Sequence, residues 1–171
     1  MAQSTTSPGE MPFWMNDAFI LIVEDDPDDA ALIQAVLDVS LVNAKTQLVV
    51  SGSEALSYLT GESPYEDRHL NPLPTLIVLD LGLPDSTGFE GGFEILAWLL
   101  AERGTVSRIP VIVFTASDDA EHAQRAYALG ARRFLHKHND FRILVEAVKE
   151  TLHQWFEWNP GSGGAQPRPP D

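Results

Sequence analysis

Five short apolar runs punctuate the chain: FILIV (19–23), TQLVV (46–50), TLIVL (75–79), VIVF (111–114) and RRFL (132–135). They are rich in Val, Ile, Leu and Phe and largely lack polar alternation, which is how strands of a parallel sheet, buried on both faces, read. Each is followed by helical spacing. Ala31, Ile33, Val36, Leu37 and Leu41 follow the first run, and Ser51 with Glu54 forms a capping-box pattern ahead of Ala55, Leu56 and Leu59 after the second. A loop and then FEILAWLLAE follow the third run. Ser117 or Asp118 is positioned to cap the fourth helix, which runs through Leu129 and stops at Gly130. Phe141, Leu144, Val145, Val148 and Leu152 share one face of the last. The alternation makes five βα units, and it predicts an α/β fold: a doubly wound parallel sheet with helices on both faces.

Composition refines this picture at the ends. Residues 1–17 are polar with Ser, Thr and Pro, and 159–171 read NPGSGGAQPRPPD, so both predict flexible tails around a domain spanning 18–158. No run approaches the ~20 apolar residues of a membrane span, and the first residues lack the basic start and apolar centre of a secretory signal. The chain has no cysteine, which excludes disulfides and thiolate metal sites. A soluble, cytoplasmic protein is the expectation. The formal net charge of −14, with no Lys/Arg stripe to offset it, argues against nucleic acid as a partner.

The acidity is either plain solubility or a sign that carboxylates converge on a cation, and residue order decides. Ligands of open α/β sheets bind beyond the carboxyl ends of the strands. Glu24, Asp25 and Asp26 follow the first run, Asp80 the third, Thr115 the fourth, and His136 with Lys137 the fifth. Singly, each is more often a cap, a turn residue or a solvated charge. Jointly they bring Glu24, Asp25, Asp80, Thr115 and Lys137 to one sheet edge. Mutually repelling carboxylates suit a hard divalent cation such as Mg²⁺. Lys137 and Thr115 supply a point charge and a donor for a phosphoryl group in transfer, and Asp80 is then the nucleophile that becomes an acyl phosphate. His136 and His138 lack a third ligand for a His metal site.

With ILIVEDDPDD, LIVLDLGLPDSTG, IPVIVFTAS and RRFLHK in view, the chain over about residues 18–156 resembles the receiver domain of two-component response regulators. The resemblance implies a (βα)5 flavodoxin-like sheet of strand order 2-1-3-4-5 and a phosphoryl group accepted from a histidine kinase. It makes Asp80 the phosphoacceptor. Asp25 becomes the direct Mg²⁺ ligand, Glu24 a ligand acting mostly through water, and the Gly82 carbonyl the third protein ligand. Thr115 and the Ala116 N–H would contact the phosphoryl oxygens, Lys137 would pair with them, and Phe134 would be the switch aromatic. Gly82 and Ser117 border the path of the attacking water, and their small size predicts a short phosphorylated lifetime. The resemblance also implies self-directed chemistry rather than enzymatic turnover.

Three departures accompany the resemblance: His138 stands where the family usually has Pro, Phe134 lacks a hydroxyl, and the loop after Asp80 is long. That loop contains GFEGGFEIL, in which GFE is written twice. Deleting FEGG leaves the ordinary LPDSTGFEIL, so the expectation is that Gly88 is the turn glycine. Gly91 and Gly92 disfavour helix by about 1 kcal/mol each and predict an extended loop on the active-site edge. At the other end, Phe141, Trp155, Phe156 and Trp158 either pack on their own domain or form a contact surface. Stand-alone regulators associated with bacterial phytochrome kinases look similar, with a long segment before the third strand (here TGESPYEDRHLNPLP) and an aromatic end. That resemblance implies a bacteriophytochrome as kinase and a homodimer through the fourth helix, fifth strand and fifth helix. Two rival readings remain. One is a docking module that is never phosphorylated. The other is a haloacid-dehalogenase-type phosphohydrolase, which needs a second Asp where Gly82 stands. A calcium-binding hand in DDPDDAALIQAVLD fails for want of its turn glycine.

Overall fold

The computed structural model describes residues 18–39, 44–83, 91–137 and 141–158. The tails, Leu41, Gly88 and His138 lie outside the described residues, as does the side chain of Trp158. Strands β1 (Phe19–Val23), β2 (Lys45–Val49), β3 (Leu76–Leu79), β4 (Val111–Thr115) and β5 (Arg133–His136) form one parallel sheet in the order β2-β1-β3-β4-β5. Helices α1 (Pro27–Val39), α2 (Gly52–Thr60), α3 (Gly91–Ala101), α4 (Ala120–Ala128) and α5 (Phe141–Trp158) cover it. The fold is thus the flavodoxin-like doubly wound sheet that the sequence predicts.

Strand periodicity of two splits the core into layers. Ile20 and Ile22 of β1 join Ile33, Leu37, Leu144 and Val148 under α1 and α5. Leu21 and Val23 of the same strand join Ala55, Leu59, Ile95 and Leu96 under α2 and α3. The expectation of strands buried on both faces holds fully for β3 and β4, whose residues are all buried. It fails at the two edges. Every residue of β5 is half-buried, and β2 buries only Val49, because an edge strand has a neighbour on one side only. On α1 the inward face is Ala30, Ile33 and Leu37, while Ala31 is exposed.

Cap chemistry sets the helix ends. The Ser51 hydroxyl accepts the Glu54 N–H at 3.1 Å, and the Glu54 carboxylate reaches back to the Val50 N–H at 2.8 Å, one residue before the cap itself. Asp119, rather than Ser117 or Asp118, caps α4 by accepting the Glu121 N–H at 2.8 Å. Gly130 follows the end of α4 with φ 94°, the left-handed turn the sequence anticipates. The long segment before β3 is tied down by Arg68, which donates to the Tyr58 and Leu59 carbonyls at 2.7 and 2.8 Å, the orphan acceptors of the last turn of α2.

The glycine pair departs from its expectation. Gly91 and Gly92 are the first residues of α3 and not part of an extended loop. Tertiary packing overrides their propensity. A Cβ on Gly92 would run into the Asp80 carbonyl oxygen and come within 2.9 Å of the Leu81 Cα. Gly91 has φ 41°, and its Cβ would lie 2.8 Å from the Leu83 carbonyl. The second glycine therefore seats the start of α3 directly on the backbone of the β3 end.

Candidate functional site

Register builds the site. Val23 pairs with Leu79 across β1 and β3, so Glu24 and Asp80 leave the sheet side by side. Thr115 pairs with His136 across β4 and β5, and the Lys137 N–H continues that ladder to the Thr115 carbonyl at 2.9 Å. Four strand ends thus bring the sequence-selected acids, the hydroxyl and the ammonium to one edge. Glu24, Asp80 and Thr115 are buried, at 1 %, 7 % and 2 % exposure, whereas Asp25 is exposed.

The Lys137 ammonium is the hub. Its Nζ lies 2.8 Å from Glu24 Oε2, 2.8 Å from Asp29 Oδ2 and 2.9 Å from Asp80 Oδ2. Hydrogen-bond alignment holds for Asp29 and Asp80. Glu24 Oε2 is a contact of opposite charges without it, and this buried oxygen accepts no hydrogen bond. The other Glu24 oxygen takes the Asp26 N–H at 3.2 Å. Asp80 Oδ1 accepts the Gly82 N–H at 3.0 Å.

One cation shared among three carboxylates compensates none of them fully. Burial pushes the Glu24 carboxyl up to about 7, and the nearby Asp80 charge adds to this against the pull of Lys137. Burial alone would lower Lys137. Its close contacts with the Asp29, Glu24 and Asp80 carboxylates outweigh that and hold the ammonium above its ordinary value. The site therefore carries excess negative charge. Ligand atoms of Glu24, Asp25 and Asp80 lie within 4.8 Å of one another. An all-oxygen donor set with an unsatisfied buried carboxylate oxygen fits a divalent cation.

Around this centre, a Cβ on Gly82 would stand 3.5 Å from Asp80 Oδ2, so a side chain there would lie over the carboxylate. Ser117 donates its N–H to Thr115 Oγ1 at 3.4 Å, while its hydroxyl is 2.7 Å from His122 Nδ1. Ala116 between them is exposed. Phe134 is half-buried on β5, its ring edge-on to His136 at 5.6 Å, and its N–H is taken by the Tyr127 hydroxyl of α4 at 3.2 Å. Of the terminal aromatics, Phe156 is 8 % exposed and belongs to the core under α1 and α5, with Trp155 and Phe141 packed partly against it. Phe141 sets its ring edge-on to Phe114 at 5.3 Å. That packing takes Phe156 off any exposed contact surface.

Sequence reasoning missed Asp29 and the Ser117–His122 pair. Asp29 stands one helical turn beyond Asp25, in the first turn of α1. Asp26 fixes that turn by accepting the Asp28 and Asp29 N–H groups at 2.9 and 3.0 Å. The available signal was its place in the first turn of α1, which starts at the site edge just after Asp25 and Asp26.

A doubly wound sheet with acids after β1 and β3, a hydroxyl on the last residue of β4 and a lysine after β5 defines a receiver. The response regulator receiver domain family matches residues 20–149, and the chain belongs to that family. Response regulator Rcp1 of Synechocystis sp. is 32 % identical over 138 residues, covering 81 % of this chain and 88 % of that protein. The crystal structure of the Mn²⁺-bound form of Rcp1 superposes with a TM-score of 0.66 at 30 % identity, over 88 % of this chain and 99 % of that one. The phosphorylated cyanobacterial phytochrome response regulator RcpA gives 0.67 at 31 %, over the same shares of 88 % and 99 %. The chain is thus a two-component signalling receiver, similar to phytochrome-associated response regulators.

Proposed function

We propose that Asp80 accepts a phosphoryl group from a histidine kinase, with Mg²⁺ held by Glu24, Asp25, Asp80 and the Gly82 carbonyl. The observation that carries this reading is the buried Lys137 ammonium 2.9 Å from Asp80 Oδ2, beside a carboxylate cluster that one lysine does not neutralise. An Asp80 oxygen attacks phosphorus, the bond from phosphorus to the histidine nitrogen breaks, and the imidazole keeps the electron pair. Lys137, the Thr115 hydroxyl and the Ala116 N–H take the charge spread over the phosphoryl oxygens. Bound Mg²⁺ would supply further charge compensation at those oxygens. Water later hydrolyses the acyl phosphate past Gly82 and Ser117, so the chain acts on itself rather than turning over a free substrate. Phe134, with no hydroxyl, would report the phosphorylated state through packing beside Tyr127.

The likeness to RcpA, a phytochrome response regulator, and to the bacteriophytochrome response regulator RtBRR supports a bacteriophytochrome as the kinase of the domain, residues 18–158, for which a cytoplasmic setting is proposed with it. A homodimer across α4, β5 and α5 is part of the same proposal, and the exposed face of α4, where Tyr127 is 51 % exposed, leaves room for it. None of the described helices is long and apolar enough to cross a membrane.

Intact mass after incubation with acetyl phosphate and Mg²⁺ tests the central claim. One phosphoryl group should add to the wild type and none to Asp80→Asn or to the wild type without the metal. No addition to the wild type, even from a purified cognate kinase, would leave the docking-module reading in its place.

A further inference from the structure

Lys137 is held by a carboxylate that neither the cation nor the phosphoryl group claims. An ammonium has three N–H donors, and here three carboxylates lie within 2.9 Å of it. Glu24 and Asp80 belong to the acidic cluster, so a bound cation draws on both of them. On phosphorylation one Asp80 oxygen in addition becomes the bridging oxygen of the acyl phosphate. Asp29 is outside that cluster. It comes from α1, across the site from β5, and its carboxylate is 36 % exposed, the most open of the three. Its backbone is fixed by the Asp26 cap and by Pro27 at the first helical position.

We propose that Asp29 is a positioning residue for phosphoryl transfer. It anchors the Lys137 ammonium from the α1 side while Glu24 and Asp80 turn to the cation and the phosphoryl group. The inference rests on the receiver reading above. Phosphorylation turns a singly charged Asp80 carboxylate into an acyl phosphate of charge close to −2, so the ammonium is needed most when two of its three partners are engaged elsewhere. A lysine on a flexible stem without a remaining anchor would lose rotamer order at that moment. With Asp29 in place, one N–H stays tethered and the others are free to follow the phosphoryl oxygens.

The experiment is a double-mutant cycle read by the rate of phosphoryl uptake from acetyl phosphate at saturating Mg²⁺, using the full chain. The proteins are wild type, Asp29→Ala, Lys137→Ala and the double variant, with isosteric Asp29→Asn beside them. Loss of a charge-assisted hydrogen bond predicts a slowing of about tenfold in Asp29→Ala. Asp29→Asn keeps an acceptor oxygen and should fall between. In the Lys137→Ala background, removing Asp29 should change the rate little, because its effect passes through the lysine. Equal slowing in both backgrounds, or an Asp29→Ala rate equal to that of an active wild type, overturns the inference alone. A wild type that takes up no phosphoryl group overturns the receiver reading, and the inference falls with it.

Discussion

Gly92 shows how a single side-chain hydrogen can carry the position of the nucleophile. Its Cα faces the Asp80 carbonyl so closely that any Cβ would collide with backbone, which cannot swing aside as a flexible side chain could. Gly92→Ala must therefore push α3 away from β3 or shift Asp80. Overpacking of this kind costs about 1–3 kcal/mol. Thermal unfolding should show that loss, and slower phosphorylation should accompany it if Asp80 moves. Gly52, at the start of α2, is the comparison: a Cβ there meets atoms no nearer than 3.7 Å and its φ is ordinary. Gly52→Ala should be neutral or stabilising by up to about 1 kcal/mol, as helix propensity favours alanine. A Gly92→Ala midpoint equal to that of wild type would show that α3 is not seated on β3 in this way.

Elements differ in how plainly they are written in the sequence. β1, β3 and β4 are continuous apolar runs, and a parallel strand buried on both faces leaves few other readings. The residues at their carboxyl ends, Asp80 and Thr115 among them, could be placed at the sheet edge from topology alone. The start of α3 was not legible. Local propensity reads Gly91 and Gly92 as loop, and only the approach of Asp80 and Leu81, remote in neither chain nor space but invisible to periodicity, explains why glycine opens the helix. Asp119 displaced two equally plausible caps for α4 because capping depends on a backbone geometry that Ser117, Asp118 and Asp119 compete to adopt. Asp29 was hidden because a first-turn acid reads as a helix-dipole partner, and the lysine after β5 that engages it is distant in sequence. α4 itself buries only Ala126, and its Tyr127 is 51 % exposed, which leaves that helix the open flank of the proposed dimer face. Phe156 is core, so altering it would confound unfolding with dissociation. Tyr127→Asp probes the face instead. Sedimentation should shift from dimer toward monomer, with affinity weakened about tenfold or more. A variant that stays as dimeric as the wild type would rule out the α4 surface.

At the scale of the whole molecule, a chain of net charge −14 concentrates four carboxylates at one sheet edge, three of them around one buried lysine. Without a cation, ionising the buried Glu24 in that arrangement opposes folding. The Glu24 carboxyl is raised by burial from 4.5 to about 7 in the folded chain, so between those values the folded state keeps a proton that the unfolded state releases. The contribution of Glu24 to stability is therefore full below pH 4.5 and is lost as pH rises through 7. A divalent cation reverses the sign. It binds the ionised carboxylates of the folded state and not the unfolded chain, so it stabilises by mass action, by about 2.7 kcal/mol at a hundredfold excess over its dissociation constant. Mg²⁺ should raise the thermal midpoint little near pH 5.5, where Glu24 holds its proton, and increasingly toward pH 8. The increment should shrink in Asp25→Asn and should not be matched by NaCl at equal ionic strength, which screens exposed charges but not a buried pair. A midpoint shift of the same size at pH 5.5 and pH 8 would mean that Glu24 does not take part in holding the cation, leaving Asp25 and Asp80 to do so alone.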